Sequence, residues 1–189
     1  MVVSMLAPPS RRDQILNAAR DAFTTAGYDG TAVGDIARNL GISKAAITYH
    51  FPAKADLITA LLDPLIDQLQ TVLAQRPEPA WPTEVRQLLH NYFVVLIESI
   101  DLARWADTDP ALRADNRPGT TLRRFDQQLA QRIADPDPTR QDHMRALAAI
   151  GGIWRPLHHE PALQLLEHID EIINAALVSY APLDAQLPT

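Results

Sequence analysis

Fifteen prolines divide this chain of 189 residues into short pieces. They fall at 8–9, 52, 64, 77–82, 110, 118, 136–138, 156–161, 182 and 188. Proline fixes φ and lacks the amide proton that a helix interior or a central strand needs, so elements must begin or end near these points. The stretches between them have helical length and are rich in Ala, Leu, Gln and Arg, which are good helix formers. Alternating β-branched residues bounded by turn pairs, the signature of a half-buried strand, are missing. The apolar run Tyr92–Ile97 lies within a longer 3.6-residue period and reads as buried helix. An all-α fold is expected.

Local signals place the helices. Ser10 and Asp13 have the spacing of a capping box and start a helix over about 11–26, with Ile15, Ala19, Ala22, Phe23 and Ala26 on one face and Gly27 as its stop. Thr31 is expected to cap a second helix that turns Val33, Ile36, Ala37 and Leu40 inward. Gly41 breaks it, and Ser43 caps a third helix that runs to about His50. Ile42, Ile47 and Phe51 complete the small core of this head. A fourth helix from Lys54 to about Leu73 contains Pro64, which either kinks it or marks a boundary. Further helices are expected near 83–105, 119–134, 139–155 and 162–181, with room for a short one in 106–118. The division is a head, 1–53, and a helical remainder, 54–189.

Composition removes several function classes. With 47% hydrophobic and 21% charged residues the chain is globular, not disordered. It has no Cys, which excludes disulfides and thiolate metal sites. Its six histidines, at 50, 90, 143, 158, 159 and 168, form no metal-binding spacing. No glycine-rich phosphate loop, nucleophile elbow or dinucleotide fingerprint is present, so neither a cofactor nor an enzymatic activity is expected. The N-terminus has no basic segment ahead of an apolar one, and Glu98 interrupts the apolar stretch Tyr92–Ile100. A cytoplasmic protein without a membrane span is the expectation.

The net charge of −6 hides a split. Residues 1–60 carry six Lys/Arg against five Asp/Glu, while residues 61–189 carry eleven against eighteen. The first sixty residues can therefore still touch phosphate. They also contain two short helices meeting at Asn39-Leu40-Gly41-Ile42, with Lys44 in the first turn of the second. A helix-turn-helix has this form: one helix braces, and the other lies in a major groove about 12 Å wide and reads base edges. Ala45 and Ala46 are small enough for close approach. Two short helices around a glycine also occur in many proteins that never meet DNA.

The resemblance is wider than that turn. Residues 12–57 resemble the DNA-binding region of the tetracycline-repressor (TetR-like) family at Arg12, Ile15-Leu16, Ala18-Ala19, Phe23, Gly27-Tyr28, Thr31, Val33, Ile36-Ala37, Gly41-Ile42-Ser43, Ile47, Tyr49-His50-Phe51, Lys54 and Leu57. It implies a homodimeric transcriptional repressor whose head binds a palindromic double-stranded operator and whose helical remainder binds a small apolar or amphipathic effector. By the same resemblance, Thr31, Ser43, Lys44, Ala45, Ala46, Thr48, Tyr49, His50 and Lys54 are the DNA-binding positions. Thr48 departs from the family, which usually has Tyr there, and offers a shorter arm to phosphate.

The remainder is less informative. Trp81, Trp105, Trp154, Tyr92, Phe93 and Phe125 are either core or pocket lining. Phe93, Glu98 and Trp105 are taken as ligand-binding candidates, because polar groups mixed into an apolar helix suit a pocket wall. The last two helices look like a dimer interface through Ala148, Gly151, Ile169, Ile173, Ala176 and Leu177. Gly151 and Gly152 cost helix propensity that close approach of another helix would offset. The competing reading is a helical small-molecule binder or adaptor without an operator.

Overall fold

The computed structural model describes residues 9–74, 83–113, 118–134 and 139–181. Every regular element among them is a helix: α1 (Arg11–Gly30), α2 (Val33–Asn39), α3 (Lys44–His50), α4 (Lys54–Ala74), α5 (Thr83–Glu98), α6 (Ile100–Thr108), α7 (Pro118–Ile133), α8 (Arg140–His159), α9 (Ala162–Glu167) and α10 (Ile169–Tyr180). By packing the chain forms two compact units, Met1–Asp63 and Pro64–Thr189, whose boundary falls inside α4.

In the first unit the caps act as their sequence implies. The Ser10 hydroxyl accepts from the Asp13 amide at 3.2 Å, and the Asp13 carboxylate accepts the Ser10 amide at 3.1 Å. These bonds from Ser10 hold the Asp13 carboxyl below the ordinary carboxylate range. Gly27 has φ 75° and ψ 170°, a conformation reserved for glycine, so the regular part of α1 ends at Ala26 and the chain turns a corner there. Ile15, Ala19 and Phe23 of α1, Ile36 of α2 and Ile47 of α3 fill the core with no more than 1% exposure.

In the second unit α8 is central and packs against α5, α6, α7, α9 and α10. Thr139 and Asp142 form a second capping box at its start. α8 passes through Pro156, beyond the end at 155 that this proline suggests, and continues to His159. Its terminus is held from α6, where the Arg104 guanidinium donates to the carbonyls of Leu157 and Glu160. Those are C-terminal carbonyls that no intrahelical donor reaches.

Two expected helices are each broken once. The stretch 83–105 is α5 and α6, separated at Ser99 (φ −124°, ψ 38°), and 162–181 is α9 and α10, separated at His168 (φ −113°, ψ 22°). The apolar period continues across both breaks, because each break residue still accepts from the next helix: Ala103 N to Ser99 O at 2.8 Å and Ile172 N to His168 O at 3.1 Å. α4 is the one helix among the described residues long and apolar enough to cross a membrane. Its Leu57, Ile58, Leu61, Leu62, Leu65, Leu69 and Val72 are instead buried in protein.

Candidate nucleic-acid interface and ligand cleft

The turn between α2 and α3 is closed locally. Gly41 adopts φ 63°, and the Ile42 amide reaches back to the Ala37 carbonyl at 3.0 Å, which satisfies the end of α2. Ser43 then caps α3 by accepting from the Ala46 amide at 3.1 Å. Ile47 is the fully buried residue of α3, so it anchors the helix and turns the opposite face out. Ser43, Lys44 and Ala45 are exposed, and Ala46, Thr48 and His50 are half-buried. Tyr49 is 84% exposed, with its ring edge-on to His50 at 5.2 Å. A large aromatic left in solvent gains nothing from the protomer's own core. The Thr48 hydroxyl donates to the Ala45 carbonyl at 3.1 Å, so its proton is used within the helix.

Two positions expected on this face lie elsewhere. Thr31 is 4% exposed and its hydroxyl sits 3.1 Å from the Ala22 carbonyl and 2.9 Å from that of Gly27. It does not cap α2; that cap is Ala32, whose amide is received by Asp35 at 3.4 Å. The Lys54 ammonium donates to the Tyr28 carbonyl and lies 3.9 Å from the centroid of the Tyr28 ring. The cause is the corner at Gly27, which leaves carbonyls of α1 without intrahelical donors. Thr31 and Lys54 satisfy them and brace the head. Lys54→Ala therefore lowers head stability by about 1–2 kcal/mol, read as a lower urea midpoint; an unchanged midpoint would remove the brace.

In the second unit the expected ligand-binding residues have different settings. Phe93 is core at 0% exposure, the Trp105 indole donates to the buried Asp109 carboxylate at 2.8 Å, and Glu98 is exposed at the end of α5. Trp81 lies outside the described residues. A cleft of about 580 Å³ instead opens between the end of α4, at Gln70, Leu73 and Ala74, and one face of α7, at Thr121, Arg124, Phe125, Gln128 and Arg132. Of these only Phe125 stands out in the sequence. The signal for the others is the helical spacing 121, 124, 125, 128 and 132, which places two arginines and a phenylalanine on one face.

The opposite side of α7 carries a buried polar network that sequence does not reveal. The Tyr92 hydroxyl donates to the Asp126 carboxylate, and the Trp154 indole donates to Tyr92 Oη at 3.0 Å and Asp126 Oδ1 at 3.3 Å. Burial pushes the Asp126 carboxyl up to about 6 against the pull of these two donors, and nearby Asp107 adds to the rise. Burial and Asp126 hold the Tyr92 phenol well above its ordinary range, so it stays a donor. His158 pairs with Asp107 at 2.9 Å and stacks on Trp154 at 5.6 Å. No group of three His, Asp or Glu side chains among the described residues is placed to hold a metal ion.

The expected interface is also partly turned around. Ala148 and Gly151 are exposed on α8 and Ile169 is half-buried, but Ile173, Ala176 and Leu177 are 0%, 1% and 6% exposed in the protomer itself. The apolar face of α10 is used by α8 of the same chain. Nearby, Asp170 and Asn174 hold Arg86 of α5. The outward apolar groups on these helices are Met144 and Val178, at 56% and 55% exposure.

Known proteins match this architecture. The family profile described as "Bacterial regulatory proteins, tetR family" matches residues 15–61, the span from the core of α1 into α4. The head of this chain, over those residues, is similar to the tetR family. The chain is 34% identical over 62 residues to the biofilm operon icaADBC HTH-type negative transcriptional regulator IcaR of Staphylococcus aureus, covering 33% of each chain. It is 29% identical over 107 residues to the HTH-type transcriptional regulator CymR of Pseudomonas putida, covering 53% of each. The match thus spans a third to about half the length of these relatives. The fold extends further: SCO3833, a TetR regulator family member from Streptomyces coelicolor, superposes with a TM-score of 0.70 at 15% identity over 96% of this chain and 98% of that one.

Proposed function

We propose that this chain is a homodimeric, sequence-specific DNA-binding repressor of the tetR family, acting in the cytoplasm and released from a palindromic operator by a small-molecule effector. The observation that carries it is α3, which presents Lys44, Ala45 and Tyr49 to solvent from a turn fixed by Gly41 and Ser43. Lys44 suits a guanine edge or phosphate, Tyr49 and Ser43 suit phosphate, and the alanines permit close approach. The kinship with IcaR, a negative transcriptional regulator, supports repression. Dimerisation is supported by the outer face of α8 and α10. A methyl group added at Gly151 or Gly152 would meet nothing within 4 Å among the described residues, so no contact inside the protomer accounts for either glycine. A two-fold dimer would set its two α3 helices a multiple of about 34 Å apart, as successive major grooves require.

The test is selection from random duplex DNA with a salt titration. A two-fold palindrome is the expected product, bound less tightly as salt rises. Lys44→Ala with Tyr49→Ala should weaken binding about ten-fold or more, with the dimer intact in sedimentation. An undiminished affinity would remove α3 from the interface. The spent hydroxyl of Thr48 favours a second reading, a ligand-binding or adaptor protein without an operator. That protein would enrich no sequence.

A further inference from the structure

We infer that α3 recognises the C5-methyl group of a pyrimidine in the major groove, carried by thymine or by 5-methylcytosine, through Ala45 with Tyr49 beside it. The inference rests on the reading of α3 as the helix that meets operator DNA. Successive residues of an α-helix are about 100° apart, so Ala45 and Tyr49 each lie about 200° from Ile47. Ile47 is completely buried, which puts the other two on the outermost line of the helix, one turn apart. Ala45 is exposed there, and Tyr49 more so. The centre of the outer face is therefore a methyl group and an aromatic ring. The neighbouring hydroxyls are engaged within α3: Ser43 accepts from the Ala46 amide and Thr48 donates to the Ala45 carbonyl. Lys44 stands about 100° round the helix from Ala45, a flexible point charge at the side of the face.

Base pairs in the major groove differ in their donors and acceptors, and thymine adds a C5-methyl group that apolar side chains contact. An alanine methyl neither donates nor accepts, so it does not separate the O4 acceptor of thymine from the N4 donor of cytosine. It does separate a base that carries a C5-methyl group from one that lacks it, because the two apolar groups leave water together. Thymine and 5-methylcytosine carry that group on the same carbon; uracil and cytosine do not. The Lys44 ammonium and the Tyr49 hydroxyl supply the polar contacts that hold α3 in register. Methylation of cytosine thereby becomes a signal that this head can sense.

The experiment uses the full chain and the duplex that it enriches from random DNA. Each thymine of the half-site is replaced in turn by deoxyuridine, by cytosine or by 5-methylcytosine, with guanine opposite the last two, and affinities are compared at one salt concentration. At one position deoxyuridine should weaken binding about four-fold with one half-site changed and about fifteen-fold with both, the worth of one buried methyl group in each. Cytosine should weaken it at least as much, and 5-methylcytosine should recover most of that loss. Ala45→Gly should bring the thymine and deoxyuridine duplexes to equal affinity, whereas Lys44→Ala should weaken both and keep their ratio. The comparison of duplexes is made on the parent protein, so it decides the matter even where Ala45→Gly loosens α3. A half-site without thymine, deoxyuridine without effect at every thymine, a 5-methylcytosine duplex bound no more tightly than the cytosine one, or a ratio unmoved in a folded Ala45→Gly protein would overturn the assignment. The two readings fail differently. An enriched palindrome indifferent to the C5-methyl group removes the methyl contact and leaves the operator; no enriched sequence removes both.

Discussion

Ile173→Asp should unfold the second unit, whereas Val178→Asp should leave it folded and separate the proposed dimer. Both residues lie on α10, but Ile173 is completely buried and Val178 is 55% exposed. The first change removes a branched side chain from a helix packed against α8 and puts a carboxylate in the buried core. Cavity formation and an unpaired buried charge together cost at least about 4 kcal/mol. That is comparable with the total stability of a small domain, about 5–15 kcal/mol. Circular dichroism should show loss of helix at a temperature where the parent is intact. Val178→Asp should melt near the parent value, yet sediment as a monomer at concentrations where the parent is dimeric. A folded, monomeric Ile173→Asp protein would return the dimer contact to the inner face of α10.

Asp126→Asn should change how stability depends on pH more than how the protein is built. The Asp126 carboxyl titrates near 6 in the folded chain because burial opposes its charge, and at 3.8 in the reference state. The folded state therefore holds its proton more tightly. The associated stability is fully present below pH 3.8 and is lost as pH rises through about 6. The loss is about 2–3 kcal/mol by linkage. Asparagine keeps an oxygen for the Tyr92 hydroxyl and the Trp154 indole and cannot ionise. The variant should match the parent near pH 4 and exceed it by about 1–2 kcal/mol at pH 7.5, the gap opening mainly between pH 5 and 7. Urea unfolding of both proteins across this range gives the difference directly and cancels the acid lability of Asp13 and Asp142, which both proteins share. A gap that does not vary with pH would mean that Asp126 is not the titrating group.

The parts of this molecule legible in its sequence are those with local causes. The Ser10–Asp13 box, the stop at Gly27, the turn at Gly41 and the Ser43 cap each involve residues within a few positions of one another, and each is present in the structure. What stayed hidden depends on distant neighbours. Ser99 and His168 carry no breaker chemistry, and the apolar period runs through them. Which stripe of α10 faces α8 and which faces out is set by packing, so Ile173, Ala176 and Leu177 looked equally suited to either role. Asp126 reads as one more surface acid until Tyr92 and Trp154 are brought over it from helices far along the chain. Arg124 and Arg132 likewise gain meaning only when the end of α4 is set opposite them.

The corner at Gly27, Thr31 and Lys54 bears on how genetic data for this protein should be interpreted. A screen for colonies that have lost the proposed repression would return substitutions at Thr31 and Lys54 beside those at Lys44 and Tyr49, and the phenotype alone would class all four as operator contacts. Temperature sorts them. Alleles that loosen the corner should regain function in the cold, where a weakened head still folds, while alleles that remove a side chain from the outer face of α3 should stay defective at every temperature. A map of recognition drawn from loss of function at a single temperature would thus include residues whose part is to brace the head.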